Sequence, residues 1–359
     1  MSSFQVTAER LTIHPHPNAD ALELAQVGLY NAVVPKGAYQ TGDWAVYIPE
    51  QAILPDALIE ELGLANYLAG KDHNRVKAIR LRGELSQGIV CRPAALAEFD
   101  LLAAAVSDID FAEWLGITKW VPEIPAGMNG VVKPAPELLP WVDIENVKRY
   151  PDVFIAGEPV IATEKVHGSA CLVTVSALGE VWVSSKGYGE KNLAIEESDT
   201  NVYWRAVRGY DIPAVAARIA EKYSADRVGI FGEVYGSGIQ DLAYGARGNI
   251  GKPGYAVFDI AVSMNGGAVF WLTQDAMVAV VAGELPIVPR LYDGPYDLDQ
   301  LRQLAEGTEQ MSGTEAHIRE GVVVRSTTER HSHLLGGRAI LKFVSDAYLT
   351  RSGNTTEFE

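Results

Sequence analysis

Three features of the sequence predict an α+β chain in two parts: short, turn-punctuated β segments at the amino end, a proline-rich break, and a longer region of interleaved strands and helices. The first part suits a small, partly closed β-barrel. In the second, the strands and helices keep no regular βαβ beat, which argues against a doubly wound sheet. At 359 residues the chain is comfortable for two domains, each with its own core.

The elements follow in order. Residues 4 to 95 carry "FQVTAERLTIHP", "LELAQVGLYNAVVP", "GDWAVYIPEQAIL" and "RVKAIRLRGELSQGIVCRP", all short and bounded by Gly, Pro, Asn or Asp. One helical patch, "PDALIEELGLANYLAG", interrupts them and ends at Gly70. Residues 96 to 145 pass from helix-like apolar spacing into "VPEIPAGMNGVVKPAPELLPWV", where the prolines predict a connector. From 146 the β signals return, in "FIAGEPVIATEK", "ACLVTVSA", "EVWVSSKG", "RVGIFGEVYG", "YAVFDIAVSM", "GAVFWLT", "REGVVVRST" and "RAILKFVSD". Helices are expected at "NVYWRAVRGYDIPAVAARIAEKYS", "TQDAMVAVVAGEL" and "DLDQLRQLAEG". The expected domains are therefore 1–95, a connector at 96–145, 146–350, and a frayed tail at 351–359.

Composition is globular, 48% hydrophobic and 21% charged, with mean hydropathy close to zero. No apolar run approaches the roughly 18 to 20 residues that span a bilayer, and the amino end lacks the pattern of a secretory signal. Cys91 and Cys171 make no metal spacing, so reduced buried thiols in a cytoplasmic protein are expected. The formal charge of −16, from 46 acids and 30 bases, argues against coating a nucleic acid by bulk electrostatics. A local basic groove or an acidic metal site remains compatible with it.

No Walker sequence occurs, and "GYGEKN" lacks the third glycine of a dinucleotide fingerprint. What does occur is an ordered series: Lys165-Val-His-Gly168, "SSKGYG" (184–189), "FGEVYG" (231–236), "YAVFDI" (255–260), "REGVVVR" (319–325) and "LKFVSD" (341–346). The order and content resemble the covalent nucleotidyltransferases, the superfamily of ATP-dependent ligases and capping enzymes. Within it the series is most similar to an ATP-dependent RNA ligase of the Deinococcus radiodurans type, with an amino-terminal OB module. The resemblance spans nearly the whole chain. It implies an OB barrel followed by a nucleotidyltransferase (ATP-grasp-like) domain of antiparallel sheets with flanking helices.

The resemblance also implies chemistry. Lys165 would attack the α-phosphorus of ATP, forming lysyl-AMP and expelling pyrophosphate. AMP would then pass to a 5′-phosphate, and a 3′-hydroxyl would displace it. An amine is a poor nucleophile while protonated, so the site must release the lysine's proton and align it. Phosphoryl chemistry of this kind depends on positioning and charge neutralisation, part of which Mg2+ or Mn2+ would supply.

The remaining positions carry over one by one. Glu164 would frame the adenine, with a solvated strand acid as its rival reading. Gly168 would permit the turn that aims Lys165. Lys186 stands where related ligases often place an arginine near the ribose. Glu233 would bind the ribose hydroxyl, and Phe258 would stack on adenine, unless it is a core residue of an apolar strand. Glu320 would serve the metal or the lysine, and Lys342 the α-phosphate. Many relatives show Lys-x-Lys in this last motif, whereas Val344 stands here, so Arg338 or Arg325 is a candidate for the second charge.

"HPNADALELAQVG", "YQTGDWAVYIPEQAIL" and "RLRGELSQGIV" resemble OB modules of tRNA-binding proteins, and such folds hold strands by groove charges and aromatics. Arg75, Lys77, Arg80 and Arg82 are the basic candidates, with a solvated barrel strand as the alternative. His14 with His16, and His331 with His333, are read as turn histidines rather than metal pairs. The expected partner is RNA, including a nicked RNA/DNA hybrid duplex, with no membrane and a monomeric enzyme. A capping-type guanylyltransferase and a non-catalytic RNA-binding OB protein are the competing functions. Such capping enzymes usually carry their OB fold after the catalytic domain. A pure binder would not need Lys165, Glu233, Glu320 and Lys342 together.

Overall fold

The computed structural model describes residues 4–121, 126–245, 253–264, 267–281 and 283–352. The frayed tail expected at 351–359 lies, from residue 353 on, outside them. The chain divides into two compact units, Met1–Val121 with Glu145–Pro151, and Pro122–Ile144 with Asp152–Glu359.

The first unit is built from β1 (Thr7–Arg10), β2 (Thr12–Pro15), β3 (Leu22–Val27), β4 (Tyr30–Pro35), β5 (Trp44–Ile48), β6 (Ala52–Ile53), β7 (Ile79–Leu81), β8 (Glu84–Ser86), β9 (Ile89–Cys91) and β10 (Thr118–Lys119), with β12 (Glu145–Asn146) in the returning segment. The strands pair as β1-β5-β9, β2-β3-β4, β7-β8 and β10-β6. Gly28, at φ +56, makes the tight β3–β4 hairpin, a conformation that glycine adopts without strain. In β5 the period of two is plain. Val46 and Ile48 enter one core with Leu54, Leu58 and Phe111, while Ala45 and Tyr47 enter another with Leu11, Val27 and Val34.

The expected long helical patch is shorter than its pattern. Helix α1 (Asp56–Leu62) stops because Gly63 adopts the left-handed cap. The segment expected as a connector begins differently too. Helix α2 (Leu101–Val106) is capped by Asp100, whose carboxylate accepts from the Ala103 N–H. Leu96, Leu101, Phe111, Leu115 and Ile117 bury into the first unit's core. Hydrophobic burial, not linker chemistry, governs residues 96–121.

The second unit pairs its strands antiparallel. One sheet runs β11 (Val132–Pro134), β16 (Leu193–Ile195), β15 (Val181–Ser185), β14 (Ser169–Ser176), β17 (Arg227–Tyr235), β18 (Gly254–Met264) and β19 (Ala268–Trp271). Another joins β24 (Ile340–Val344), β21 (Gly321–Ser326), β13 (Pro159–Lys165) and β20 (Arg290–Pro295). β20 has no counterpart among the expected strands, because its "LYDGP" reads as a turn. The short hairpin β22 (His331–Ser332) and β23 (Gly337–Arg338) lies between β21 and β24 in sequence.

Helices α4 (Val202–Gly209), α5 (Ile212–Tyr223) and α6 (Gln274–Val281) cover one face of the larger sheet, where Val173, Ile230 and Val262 meet Trp204, Ile219 and Met277. The single helix expected over 201–224 is broken at Asp211, which sits at φ +50 ahead of Pro213 in the first turn of α5. The opposite face holds Leu172, Phe231 and Ala261 under Leu138 and Leu139. Helices α3 (Lys186–Gly189), α7 (Leu298–Ala305) and α8 (Asp346–Leu349) complete the unit.

Candidate active site

Lys165 is the last residue of β13, and β13 continues through a short turn into β14. It thus stands where the chain leaves one sheet of the second unit for the other. Its Nζ lies 2.6 Å from Glu320 Oε1, the residue immediately before β21. Lys165, Gly321 and Val344 are aligned across β13, β21 and β24. A Cβ at Gly321 would lie 2.1 Å from the Phe343 carbonyl oxygen, so the strands approach this closely only with glycine there.

Burial disfavours the Lys165 ammonium, but the carboxylates of Glu320 and Glu233 and the Glu320 hydrogen bond outweigh it and hold the amine above the ordinary lysine value. Lys186 acts on it in the opposite sense. Glu233, on β17, is pushed up to about 8 by burial, which Lys165, a hydrogen bond from the Gly168 N–H and Lys186 only partly offset. Lys165, Glu233, Glu320 and Lys186 therefore form one electrostatic cluster.

Gly168 serves close packing rather than a special backbone angle. A Cβ there would meet the Val234 carbonyl oxygen at 2.3 Å and Glu233 Cγ at 2.9 Å. The buried Gln240 amide also donates to the Gly168 carbonyl. Glu164 is not solvated, since it is only 1% exposed. Strand alternation turns it away from Lys165. Its Oε2 accepts from the Gln310 N–H at 2.7 Å, while Oε1 is buried without a hydrogen-bond partner. Burial pushes its carboxyl up to about 7, against the Gln310 N–H and the Arg319 charge.

Lys342 and Val344 share the face of β24 that aligns, through β21, with the Lys165 face of β13. Two strand spacings put Lys342 about 10 Å across the sheet from β13. Arg325 and Arg338, the candidates for a second phosphate charge, are committed elsewhere. Asp259 takes Arg338 at 2.6 Å and Arg325 at 3.4 Å, and Arg338 also pairs with Glu329 at 2.6 Å.

Phe258 is half-buried, with its ring perpendicular to the Trp141 indole at 6.3 Å. Trp141 also packs on Phe231 at 5.9 Å. Its Nε1–H donates to Asp143 Oδ1 at 3.1 Å, and the same oxygen lies 3.1 Å from Lys186 Nζ. Pattern reading missed this wall, because residues 138–143 show neither helical nor strand periodicity.

A second missed group surrounds His167. Its Nε2 lies 2.8 Å from Asp241 Oδ1, and its Nδ1 lies 2.8 Å from the Tyr348 hydroxyl on α8. Arg351 pairs with Asp241 at 3.0 Å and stacks on Tyr348. Glu320 Oε2 faces His167 Nδ1 at 3.9 Å and has no hydrogen-bond partner. Helix α8 thus reaches the lysine motif through one buried imidazole.

In the first unit, the four basic candidates do not line one strand. Arg75 stacks over Trp120 at 4.0 Å, Lys77 lies outside a strand, Arg80 is exposed on β7, and Arg82 turns at φ +52. His14 bonds Gln26, His16 bonds the Leu81 carbonyl, and the His331 and His333 rings pack on each other. No group of three or more His, Cys, Asp or Glu suited to a metal occurs among the described residues. Cys91 and Cys171 are buried and unbridged, and burial pushes the Cys91 thiol up to about 12. No helix among the described residues is long and apolar enough to cross a membrane.

Comparison with known proteins places these features in context. The RNA ligase family model matches residues 158–344, and an OB-fold domain model matches residues 5–93. Among curated proteins no sequence match is found. The fold is similar to that of a Naegleria gruberi RNA ligase solved with pyrophosphate, with a TM-score of 0.77 and 24% identity over 97% of this chain and 98% of that one. Variants of the same ligase solved with ATP and Mn, and with AMP and Mn, give TM-scores of 0.77 at 24% identity, over 96% and 97% of this chain and 98% of each of theirs. At that identity the likeness speaks for the fold.

Proposed function

The chain belongs to the RNA ligase family, and from that premise we propose that it uses ATP to join a 3′-hydroxyl to a 5′-phosphate in RNA through a lysyl-AMP on Lys165. The observation that carries this reading is the Lys165–Glu320 pair at 2.6 Å, set in a cluster with Glu233 and Lys186. A lysine tied to a carboxylate rests as an ammonium and must lose a proton before it attacks. Glu320 Oε1 is within hydrogen-bond reach of Nζ and accepts that proton. The N–P bond then forms as the bond from the α-phosphorus to the bridging oxygen breaks, and pyrophosphate leaves.

The other residues bind and orient. Phe258 offers its ring to adenine, Glu233 faces the ribose, and Lys186 and Lys342 supply positive charge to the phosphates. Glu164 holds the 308–312 segment through Gln310 and shapes the base pocket from behind β13. A divalent cation, Mg2+ or Mn2+, fits the donor set: Glu320 has one buried oxygen without a partner, and such ions bind through one or two carboxylates plus substrate phosphates. When bound, it would neutralise charge on the α-phosphate. With pyrophosphate gone, the same cluster would transfer AMP to a 5′-phosphate.

The ligase is of the Deinococcus radiodurans type in its domain order, seals nicks in RNA or RNA/DNA duplexes during RNA repair, and acts as a cytoplasmic monomer. The order of the OB module and the motif series supports the first of these points, and the chemistry of the motifs the second. The test is incubation with α-labelled ATP and Mg2+, followed by a denaturing gel. The wild-type chain should carry label, γ-labelled ATP should give none, and Lys165→Ala should abolish labelling. Persistent labelling of that variant would remove Lys165 from the reaction.

A further inference from the structure

The segment Leu138–Asp143 crosses the face of the larger sheet opposite helices α4, α5 and α6. Leu139 packs there with Leu172 and Phe231, and its N–H donates to Thr174 Oγ1. Trp141 follows at the edge of Phe258, and Asp143 ends the run on Lys186. Positions 139, 141 and 143 thus reach the core, the Phe258 ring and the Lys186 ammonium in turn.

We propose that Asp143 is a positioning residue for adenylyl transfer, holding the Lys186 ammonium where the nucleotide binds. The inference rests on Lys165 being the adenylylated nucleophile and adds a residue outside the motif series. Lysine carries its charge on a flexible four-carbon stem, so a fixed location for that charge needs a partner. The Lys186 side chain is 13% exposed and that of Asp143 is 9% exposed, and so mostly dry a pair is directional and strongly felt. Asp143 is itself fixed, because the same Oδ1 accepts from the Trp141 indole N–H at 3.1 Å. Trp141 in turn abuts Phe258, which joins the location of the charge to the location of the base. The Lys186 charge acts on both Lys165 and Glu233, so its placement matters to the reacting centre.

The test is a double-mutant cycle on the full chain, read as lysyl-AMP formation against ATP concentration. Asp143→Asn keeps the acceptor for the indole and removes the charge. It should raise KM for ATP about tenfold while kcat changes less than about threefold, since ground-state positioning is what is lost. Asp143→Glu should restore KM to within about threefold of wild type. In a Lys186→Met background, Asp143→Asn should change KM less than about twofold, because its partner is already gone. A wild-type KM for Asp143→Asn overturns the proposal. So does an equal loss in both backgrounds, which would mean that Asp143 acts on folding alone. A wild-type chain that forms no lysyl-AMP would instead bring down the ligase reading itself.

Discussion

Glu320 Oε1 lies 2.6 Å from Lys165 Nζ, although the two residues are 155 positions apart in the chain. Antiparallel pairing of β13 with β21 brings them together, since Lys165 is aligned with Gly321 and Glu320 is the next residue back. The pair holds the Lys165 amine in its charged form at rest. With Lys165 as the proposed nucleophile, each adenylylation would start by moving one proton.

That requirement predicts the pH dependence of the first step. The amine is held above the ordinary lysine value, so lysyl-AMP formation by the wild type should rise with pH from 6 towards 9 as the reactive fraction grows. Glu320→Gln removes a carboxylate that favours the ammonium, which lowers the amine's pKa, and it also removes the proton acceptor. Labelling should fall about 100-fold or more, and what remains should reach its plateau at lower pH. Single-turnover labelling across that range measures both effects. Wild-type rates with an unshifted profile would count against Glu320 as the acceptor.

Glu164 makes a prediction about stability. Its carboxyl is raised to about 7, so the folded chain favours the protonated form. The stability it contributes is fully present below the unfolded value near 4.5 and is lost as pH rises through about 7. Glu164→Gln keeps the acceptor for the Gln310 N–H and removes the ionisation. Relative to wild type it should gain about 1–3 kcal/mol on going from pH 5 to pH 8. Denaturant unfolding at the two pH values gives the difference, and equal values for the two proteins would refute the coupling.

Much of the candidate site's geometry was legible in the sequence because its residues lie in contiguous motifs. Lys165, Glu233 and Glu320 announce themselves by order, and strand periodicity places them on β13, β17 and at β21. Asp143 and Asp241 do not. Lys186 and His167, with which they pair, lie 43 and 74 residues away, and neither aspartate sits in a periodic segment, so only the folded chain shows the pairing. The amino-terminal barrel was legible from short alternating strands. Its carboxy-terminal boundary was not, because Phe111 and Leu115 bury through a turn segment that carries no repeat.

Gly168 tests how closely the lysine turn must approach β17. Alanine would put its Cβ 2.3 Å from the Val234 carbonyl oxygen, on backbone that cannot swing aside as a side chain could. Gly168→Ala should therefore cost about 1–3 kcal/mol or more, and the displaced turn should depress labelling with it. Thermal melting and α-label transfer read the two effects. Unchanged melting would mean that the turn is more yielding than this packing implies.

Whether the barrel takes part in RNA binding can be tested without cutting the chain, and cutting is the poorer experiment. The second unit takes residues 122–144, and a start at 140 would remove β11 together with the buried Leu138 and Leu139. The returning segment 145–151 would also be left without the unit it packs in, where Arg149 pairs with Glu9 at 2.6 Å and Lys148 with Gln87 at 2.7 Å. Charge reversal in the full-length chain avoids both faults. If the barrel holds the polynucleotide, Lys77→Glu with Arg80→Glu should weaken nick sealing while lysyl-AMP formation stays within about twofold, because ATP does not need those charges. Each lost phosphate contact should also flatten the salt dependence of RNA binding, by about 0.9 in the log–log slope for a duplex. A chain of net charge −16 has no bulk attraction to produce such a slope, so a change of nearly two would trace to these two side chains. If sealing and slope both match wild type, the strand runs elsewhere, and the barrel serves structure or another partner.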